Sequence, residues 1–380
     1  MTSTTTVPLR LASGNGPVTR HVLLAPPRDA TTEEIPIIDI SPVLSPSSSF
    51  DARLSVAKQI REAATNTGFF YIRNHGIPST VTDSAHEACV DFFRQDLETK
   101  LQADAKQSAY FNGYKPPQTQ RINPFEGLDV RETFSWTYDP RLDPSVGDLA
   151  SIPEHIRQFL RVEPDGPPGN EDDRFPWSAT KSVPCFQPAV VEYWRSCLGL
   201  ARALVRSFAL SLDLDEGYFD DKFSHPDAAL ALNYYPPLPP SAASAGDDCA
   251  SATKEVSIGS HTDFQLFTIL WQDDAGGLQV LNRQGQWIKA TPIPGTFVVN
   301  IADYLQRITN DKYQSTVHRA VNHSGHERVS MPFFFGFNLN ESCGVLDSCV
   351  GADGVKKYDE IGCLEWVKKR VKAMHDTKGA

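Results

Sequence analysis

The sequence predicts a mainly β protein with flanking helices, in which a sandwich or barrel follows a mixed α/β region. Three observations carry this reading. From Ala228 onward, seven short β-forming runs alternate with Gly, Pro and Asn turns, at 229–235, 265–271, 278–281, 287–290, 296–301, 315–321 and 329–339. Ahead of them, Val191, Trp194, Cys197, Leu198, Ala201, Leu204, Val205 and Phe208 recur close to a 3.6-residue period, which predicts one long apolar helix over 188–212. Finally, 40% of the 380 residues are hydrophobic and 22% charged, enough for a core in one large domain or two packed ones.

The elements follow in order. Residues 1–33, rich in Ser and Thr, read as a disordered tail. Their Arg10, Arg20 and Arg28 with no acid before Arg28 give the composition of a transit peptide, but Pro8, Gly14, Gly16 and Pro17 would break its helix. Ordered structure is expected from the apolar strand at 35–40. Asp51 is placed to cap a helix through Leu54, Ala57, Ile60 and Ala64, which Gly68 ends. A strand at 69–72, a turn at Asn74-His75-Gly76 and a helix over 81–100 come next. Residues 110–127 read as a loop, 132–138 as a strand, and 139–184 as irregular. A Ser/Ala/Asp-rich insertion at 239–254 interrupts the β runs, and a helix at 358–374 closes the chain. The resulting divisions are 1–33, 34–185, 186–225, 226–345 and 346–380.

Net charge is −11, and no basic patch interleaves with the aromatics, which argues against nucleic acid or an anionic membrane as partner. No apolar run reaches the roughly 18–20 residues that span a bilayer. The seven cysteines are scattered without a C-x-x-C pair and read as reduced thiols of an intracellular, cytoplasmic protein. Nothing in the chain calls for a protein partner.

The chemistry concentrates in the β runs. With ten His and 47 Asp plus Glu, about one H-x-D/E is expected by chance. There are two: His225-Pro226-Asp227 and His261-Thr262-Asp263. Ligands at i and i+2 share a face only on a strand. Pro226 favours a strand end or turn, so His225 and Asp227 read as surface turn residues, whereas Asp263 leads directly into strand material. His318 lies inside the β-prone run 315–321, while His323 and His326 flank the Ser324-Gly325 turn. His261, Asp263 and His318 are therefore the candidate metal ligands. Two nitrogens and a carboxylate on one face of a six-coordinate ion leave three positions open, the arrangement of an oxygen-using iron centre. On the following strand Arg328, Ser330 and Phe334 share one parity, aligning a guanidinium, a hydroxyl and an aromatic on one wall.

Together these residues resemble the 2-oxoglutarate and Fe(II)-dependent oxygenases of the isopenicillin N synthase-like group. The resemblance rests on His261-x-Asp263, His318 and Arg328-x-Ser330, with Asn233-Tyr234-Tyr235-Pro236-Pro237 before them and Gly276-Gly277-Leu278-Gln279-Val280 and 294–303 between. In the N-terminal half it includes Gly68-Phe69-Phe70, Asn74-His75-Gly76 and Asp129-x-x-Glu132, so that it spans about residues 35–345. It implies a double-stranded β-helix (jelly-roll) core at 226–345, behind an N-terminal non-haem dioxygenase-type domain at 34–185. It implies Fe(II) on His261, Asp263 and His318. It implies 2-oxoglutarate anchored by Arg328 and Ser330 with contacts from Tyr235 and Asn233, O2 as oxidant, and Phe334 on the substrate wall. A small metabolite, by family habit one of secondary metabolism, would be hydroxylated, desaturated or cyclised as succinate and CO2 are released. The alternative is an oxidase of the same fold that needs no 2-oxoglutarate and uses Arg328 and Ser330 for the substrate's own carboxylate. Ala302 stands where that family usually has glycine, and 139–184 matches it poorly.

Overall fold

A computed structural model describes residues 5–161, 175–237 and 256–375. Two sheets face one another. The larger has eight strands in the order Ile37–Asp39, Phe69–Arg73, Thr296–Ile301, Phe267–Gln272, Arg328–Asn338, Pro226–Tyr235, Glu132–Trp136 and Gly113–Lys115. The smaller has five: Arg28–Asp29, Trp287–Lys289, Leu278–Leu281, His318–Ala320 and Ile258–His261. From Pro226–Tyr235 to Arg328–Asn338 the chain passes back and forth between the two sheets, apart from the hairpin of Leu278–Leu281 with Trp287–Lys289, as in a jelly-roll.

Alternation on the strands explains why the layers form. Along Arg328–Asn338, Val329, Met331, Phe333, Phe335 and Phe337 join the main apolar core, while Arg328, Ser330, Pro332 and Phe334 line a cavity between the sheets. The predicted long helix is Phe186–Ser211, and it covers the outer face of the large sheet. Tyr193 OH donates to the Met331 carbonyl at 2.9 Å and Trp194 Nε1 to that of Ala228 at 3.2 Å, so both polar ends are satisfied inside the core. Phe50–Asn66 and Ser79–Phe93 flank this helix. Part of the space between the sheets is filled by Phe69, Leu270, Leu278, Val280, Ile288 and Val298, and the rest is the cavity.

Several expectations need correction. Residues 5–33 are not a disordered tail. Thr6–Leu11 and Val18–Leu23 form an antiparallel hairpin, and Arg28–Asp29 adds a parallel strand beside Trp287–Lys289. The alternation of Val7, Leu9 and Leu11 among polar residues sets Leu11 and Val22 against Leu281, Trp287 and Val317. The first long helix is capped by Ser49, which accepts from Ala52 N at 3.2 Å, because a hydroxyl one residue before Phe50 reaches that orphan amide. The helix expected over 81–100 breaks after Phe93, and Asp96 caps a separate turn, Leu97–Leu101, through Thr99 N. The last helix begins at Cys363 rather than 358. Asp227 is no surface residue. Pro226 opens the strand Pro226–Tyr235, a position that needs no donor, and this turns Asp227 into the cavity. The insertion at 239–254 lies outside the described residues.

All six described cysteines are unpaired. Among the described residues no helix is long and apolar enough to cross a membrane.

The N-terminal segment is held to the small sheet by Glu34. Its carboxylate accepts from Arg28 at 2.7 Å through both oxygens, and from Asn282 Nδ2 and Thr31 N at 3.0 Å. The bonds from Arg28 outweigh the effect of burial and lower the carboxyl pKa from 4.5 to about 2. A depressed acid stabilises the fold above its unfolded pKa and loses that contribution as pH falls through the folded one. Glu34→Gln is therefore expected to lower the Tm at pH 7 by roughly a degree or two. The gap from wild type should close between pH 4.5 and about 2 when melting is followed by circular dichroism.

Candidate metal centre and anion seat

His261 ends the strand Ile258–His261, and His318 begins the neighbouring strand His318–Ala320; the register places the two opposite each other. Their ring centroids are 4.3 Å apart. Each ring sets its Nδ1 against the carbonyl two residues earlier, Gly259 at 2.8 Å for His261 and Thr316 at 3.1 Å for His318. A carbonyl can only accept, so each Nδ1 carries a proton, and Nε2 is the ring atom left to face Asp263. Both Nε2 atoms lie 3.7 Å from Asp263 Oδ1.

Asp263 sits where the chain crosses from the small sheet to the large one. Its other oxygen, Oδ2, accepts from Thr268 Oγ1 at 2.5 Å and Asn300 Nδ2 at 2.8 Å, which fixes Oδ1 toward the histidines. Burial, reinforced by His318, holds the His261 pKa well below the usual histidine range, so the imidazole is neutral. Burial alone would raise the Asp263 carboxyl, but the two histidines and the bonds from Asn300 and Thr268 keep it below its ordinary value, hence ionised. The donor set is thus two imidazoles and a carboxylate with ligand atoms all within 4.8 Å of one another, a fit for a divalent transition metal with open positions. His225, His323 and His326 do not join it; His225 Nδ1 instead meets Ser224 Oγ at 3.1 Å.

Arg328 is only 1% exposed. Its Nε donates to the Gly276 carbonyl and its Nη2 to Gln272 Oε1 at 3.3 Å, and the guanidinium lies 4.5 Å above the Tyr235 ring. Nη1 is buried and has no partner. Behind Arg328 the chain needs glycine at 277: at φ +90° a Cβ there would lie 2.4 Å from the Val321 carbonyl. Across the strands Arg328 faces Tyr235 and Ser330 faces Asn233, with Ser330 Oγ 3.1 Å from Tyr235 OH. Phe334 lies on the same wall, between Ala229 and Thr268. All eight residues singled out from the sequence therefore line one cavity of about 360 Å³.

Sequence reasoning missed the groups that hold these in place. Asn300 and Thr268 are polar residues inside apolar strands, and that break in pattern was the available signal. Glu126 gave none, and Asp129 stood out only as part of the Asp129-x-x-Glu132 resemblance, with no role attached. They reach from the 110–131 segment to the exposed edge of Ile258–His261, where Glu126 Oε2 accepts from Ser260 N at 2.5 Å and Asp129 Oδ1 from Gly259 N at 3.2 Å. Gly259 leaves room for this approach, since a Cβ would lie 2.7 Å from Glu126 Oε2.

A jelly-roll with two imidazoles and a carboxylate open to its interior cavity, which also holds a buried arginine with one unpartnered nitrogen, defines a mononuclear non-haem metal enzyme that takes an anionic cosubstrate. Residues 226–337 match the model of the 2OG-Fe(II) oxygenase superfamily, and 35–155 match that of the non-haem dioxygenase N-terminal region named for morphine synthesis. The chain is 58% identical over 371 residues to the 2-oxoglutarate-Fe(II) type oxidoreductase ppzC of Metarhizium majus, covering 98% of this chain and 96% of that one. It is 31% identical over 316 residues to the 2-oxoglutarate-dependent dioxygenase citB of Monascus ruber, covering 82% and 88%. A full-length protein of Neurospora crassa, solved in complex with alpha-KG, shares the fold at a TM-score of 0.70 and 24% identity, over 92% of this chain and 99% of that one. The chain belongs to the 2OG-Fe(II) oxygenase superfamily. It is a 2-oxoglutarate- and Fe(II)-dependent oxidoreductase that uses O2, in a family that acts on small molecules, and the oxidase reading without 2-oxoglutarate is set aside.

If Asn300 fixes the Asp263 carboxylate, Asn300→Ala should weaken Co(II) binding about 10–100-fold. Isothermal titration of the metal-free protein measures this, with far-ultraviolet circular dichroism unchanged.

Proposed function

We propose that His261, Asp263 and His318 hold Fe(II), and that Arg328 and Ser330 bind the distal carboxylate of 2-oxoglutarate. The observation that carries this is the Arg328 guanidinium, buried beside the histidine–aspartate group with an unpartnered Nη1. A charge so placed is costly unless an anion completes it. Tyr235 OH positions the Ser330 hydroxyl, and the Tyr235 ring faces the guanidinium. Asn233 accepts from Arg131 Nη1 at 2.7 Å and Thr133 Oγ1 at 3.0 Å through its carbonyl oxygen, which leaves its NH2 end to face the cosubstrate. Phe334 forms the substrate wall beyond them.

When bound, iron and 2-oxoglutarate together reduce O2, with one oxygen entering succinate as CO2 leaves and the other oxidising the substrate. The chain's residues supply the rest. The Nδ1–H···carbonyl bonds keep both imidazoles in the ligating tautomer, Asn300 and Thr268 aim the carboxylate, and the apolar walls exclude water. The substrate is a small metabolite, and the fungal relatives ppzC and citB support a place in secondary metabolism. We assign the work to the cytoplasm, with 226–345 as the catalytic core, 34–185 as the region packed against it, 186–225 as the linking helix and 346–380 as the C-terminal element.

Succinate release under air with Fe(II) and 2-oxoglutarate is the assay. Asp263→Ala should abolish it while melting stays cooperative. Arg328→Met should raise the KM for 2-oxoglutarate about 10–100-fold, as expected for a lost charged hydrogen bond. An unchanged KM in that variant would rule out the anchor, and full activity in Asp263→Ala would rule out the ligand set.

A further inference from the structure

The cavity runs past the metal centre to the outer strands of the large sheet, where its character changes. The registers set Lys115 opposite Thr133, Thr133 opposite Asn233, and Asn233 opposite Ser330. Lys115 thus continues the inward-facing row that carries the proposed cosubstrate residues, two strands further along. Its Nζ donates to Ser135 Oγ at 3.3 Å, and no carboxylate of the described residues lies within ion-pairing distance of it. Lys100 shows the contrast: it meets Glu132 at 2.5 Å.

The surroundings of Lys115 are equally short of anions. Arg131 is held by the Asn233 carbonyl oxygen and, at 3.5 Å, by Asp129, while its Nε is buried without a partner. Gln120, also on the cavity wall, has a buried Nε2 with no acceptor. A chain of net charge −11 has therefore gathered two cations and two unmet donors along one side of its cavity. Burial, together with the nearby Arg131 charge, lowers the Lys115 pKa to about 8, so the free protein keeps this ammonium at a cost. Arg328, across the cavity, is already assigned to 2-oxoglutarate. The same cavity is lined by the aromatic rings of Tyr110 and Phe111.

We propose that Lys115, backed by Arg131, binds a carboxylate of the substrate, which makes the substrate a small organic acid whose apolar body lies along Tyr110 and Phe111 and reaches back toward His261, Asp263 and His318. The inference rests on the function proposed above. It accounts for a cationic side of the cavity that the cosubstrate does not use, and about 360 Å³ shared with 2-oxoglutarate limits the acid to a small one.

The test uses the protein loaded with Co(II) and saturated with 2-oxoglutarate, so that Arg328 is occupied and no turnover occurs. The probes are 3-phenylpropionate and its amide, followed by ligand-observed NMR. The acid is expected to bind at least about 10-fold more tightly than the amide, and Lys115→Met to weaken the acid about 10–100-fold. Lys115→Arg should restore most of the loss, which a merely structural lysine would not require. In turnover, the compounds that stimulate succinate release from a set of matched acids and amides should be the acids, with a higher KM in Lys115→Met. Equal binding of acid and amide, no binding of the acid, or wild-type affinity in Lys115→Met would overturn the proposal. Failure of the wild-type protein to bind 2-oxoglutarate would instead overturn the function on which it rests.

Discussion

One carboxylate oxygen fixes the geometry of the centre. Asp263 Oδ2 is shared by Thr268 and Asn300, which stand opposite each other on adjacent strands. The direction of Asp263 is therefore set by the register of the large sheet. A slip of one residue would turn Thr268 or Asn300 to the outer face and release the carboxylate. What prevents the slip is apolar packing on that outer face, where Phe267 meets Phe208 of the long helix at 5.0 Å and Val299 and Ile301 lie in the same core. The precision of a polar site is thus supplied by burial one layer away.

Much of this was legible because it is local or periodic. His261 and Asp263 are two apart, His318 lies in a β-prone run, and Arg328, Ser330 and Phe334 share a parity that the strand converts into one wall. The long helix likewise follows from its 3.6-residue period. Contacts without a local signature were not legible. Glu126 and Asp129 meet Ser260 and Gly259 across 134 and 130 positions, and nothing local to either acid points to those amides. Asp227 was misread because proline was weighed as a strand breaker, although the first residue of a strand tolerates it. The N-terminal hairpin was missed because Pro8, Gly14, Gly16 and Pro17 read as breakers and drew attention from the short alternation of Val7, Leu9 and Leu11.

Charge is distributed unevenly. The acidic residues outnumber the basic ones overall, yet the cavity holds Arg328, Arg131 and Lys115 with few anions to meet them. Keeping such cations from water is tolerable because each retains neutral acceptors: Gly276 and Gln272 for Arg328, Asn233 for Arg131, Ser135 for Lys115. Neutral acceptors offset part of the desolvation, and among the described residues only Arg131 of the three also has a carboxylate within ion-pairing distance, Asp129 at 3.5 Å. The folded chain is thereby prepared for anionic ligands before any arrives.

The strand ending in His261 lies at the border of the small sheet. Such a border normally offers a row of vacant amides onto which a strand from another molecule can add. Here the amides of Gly259 and Ser260 are already taken by Asp129 and Glu126. A foreign strand would have to displace two carboxylates, and its own carbonyl oxygens would approach that negative charge. The loop that steadies the first histidine therefore also keeps neighbouring molecules from pairing with the sheet at its most sensitive edge.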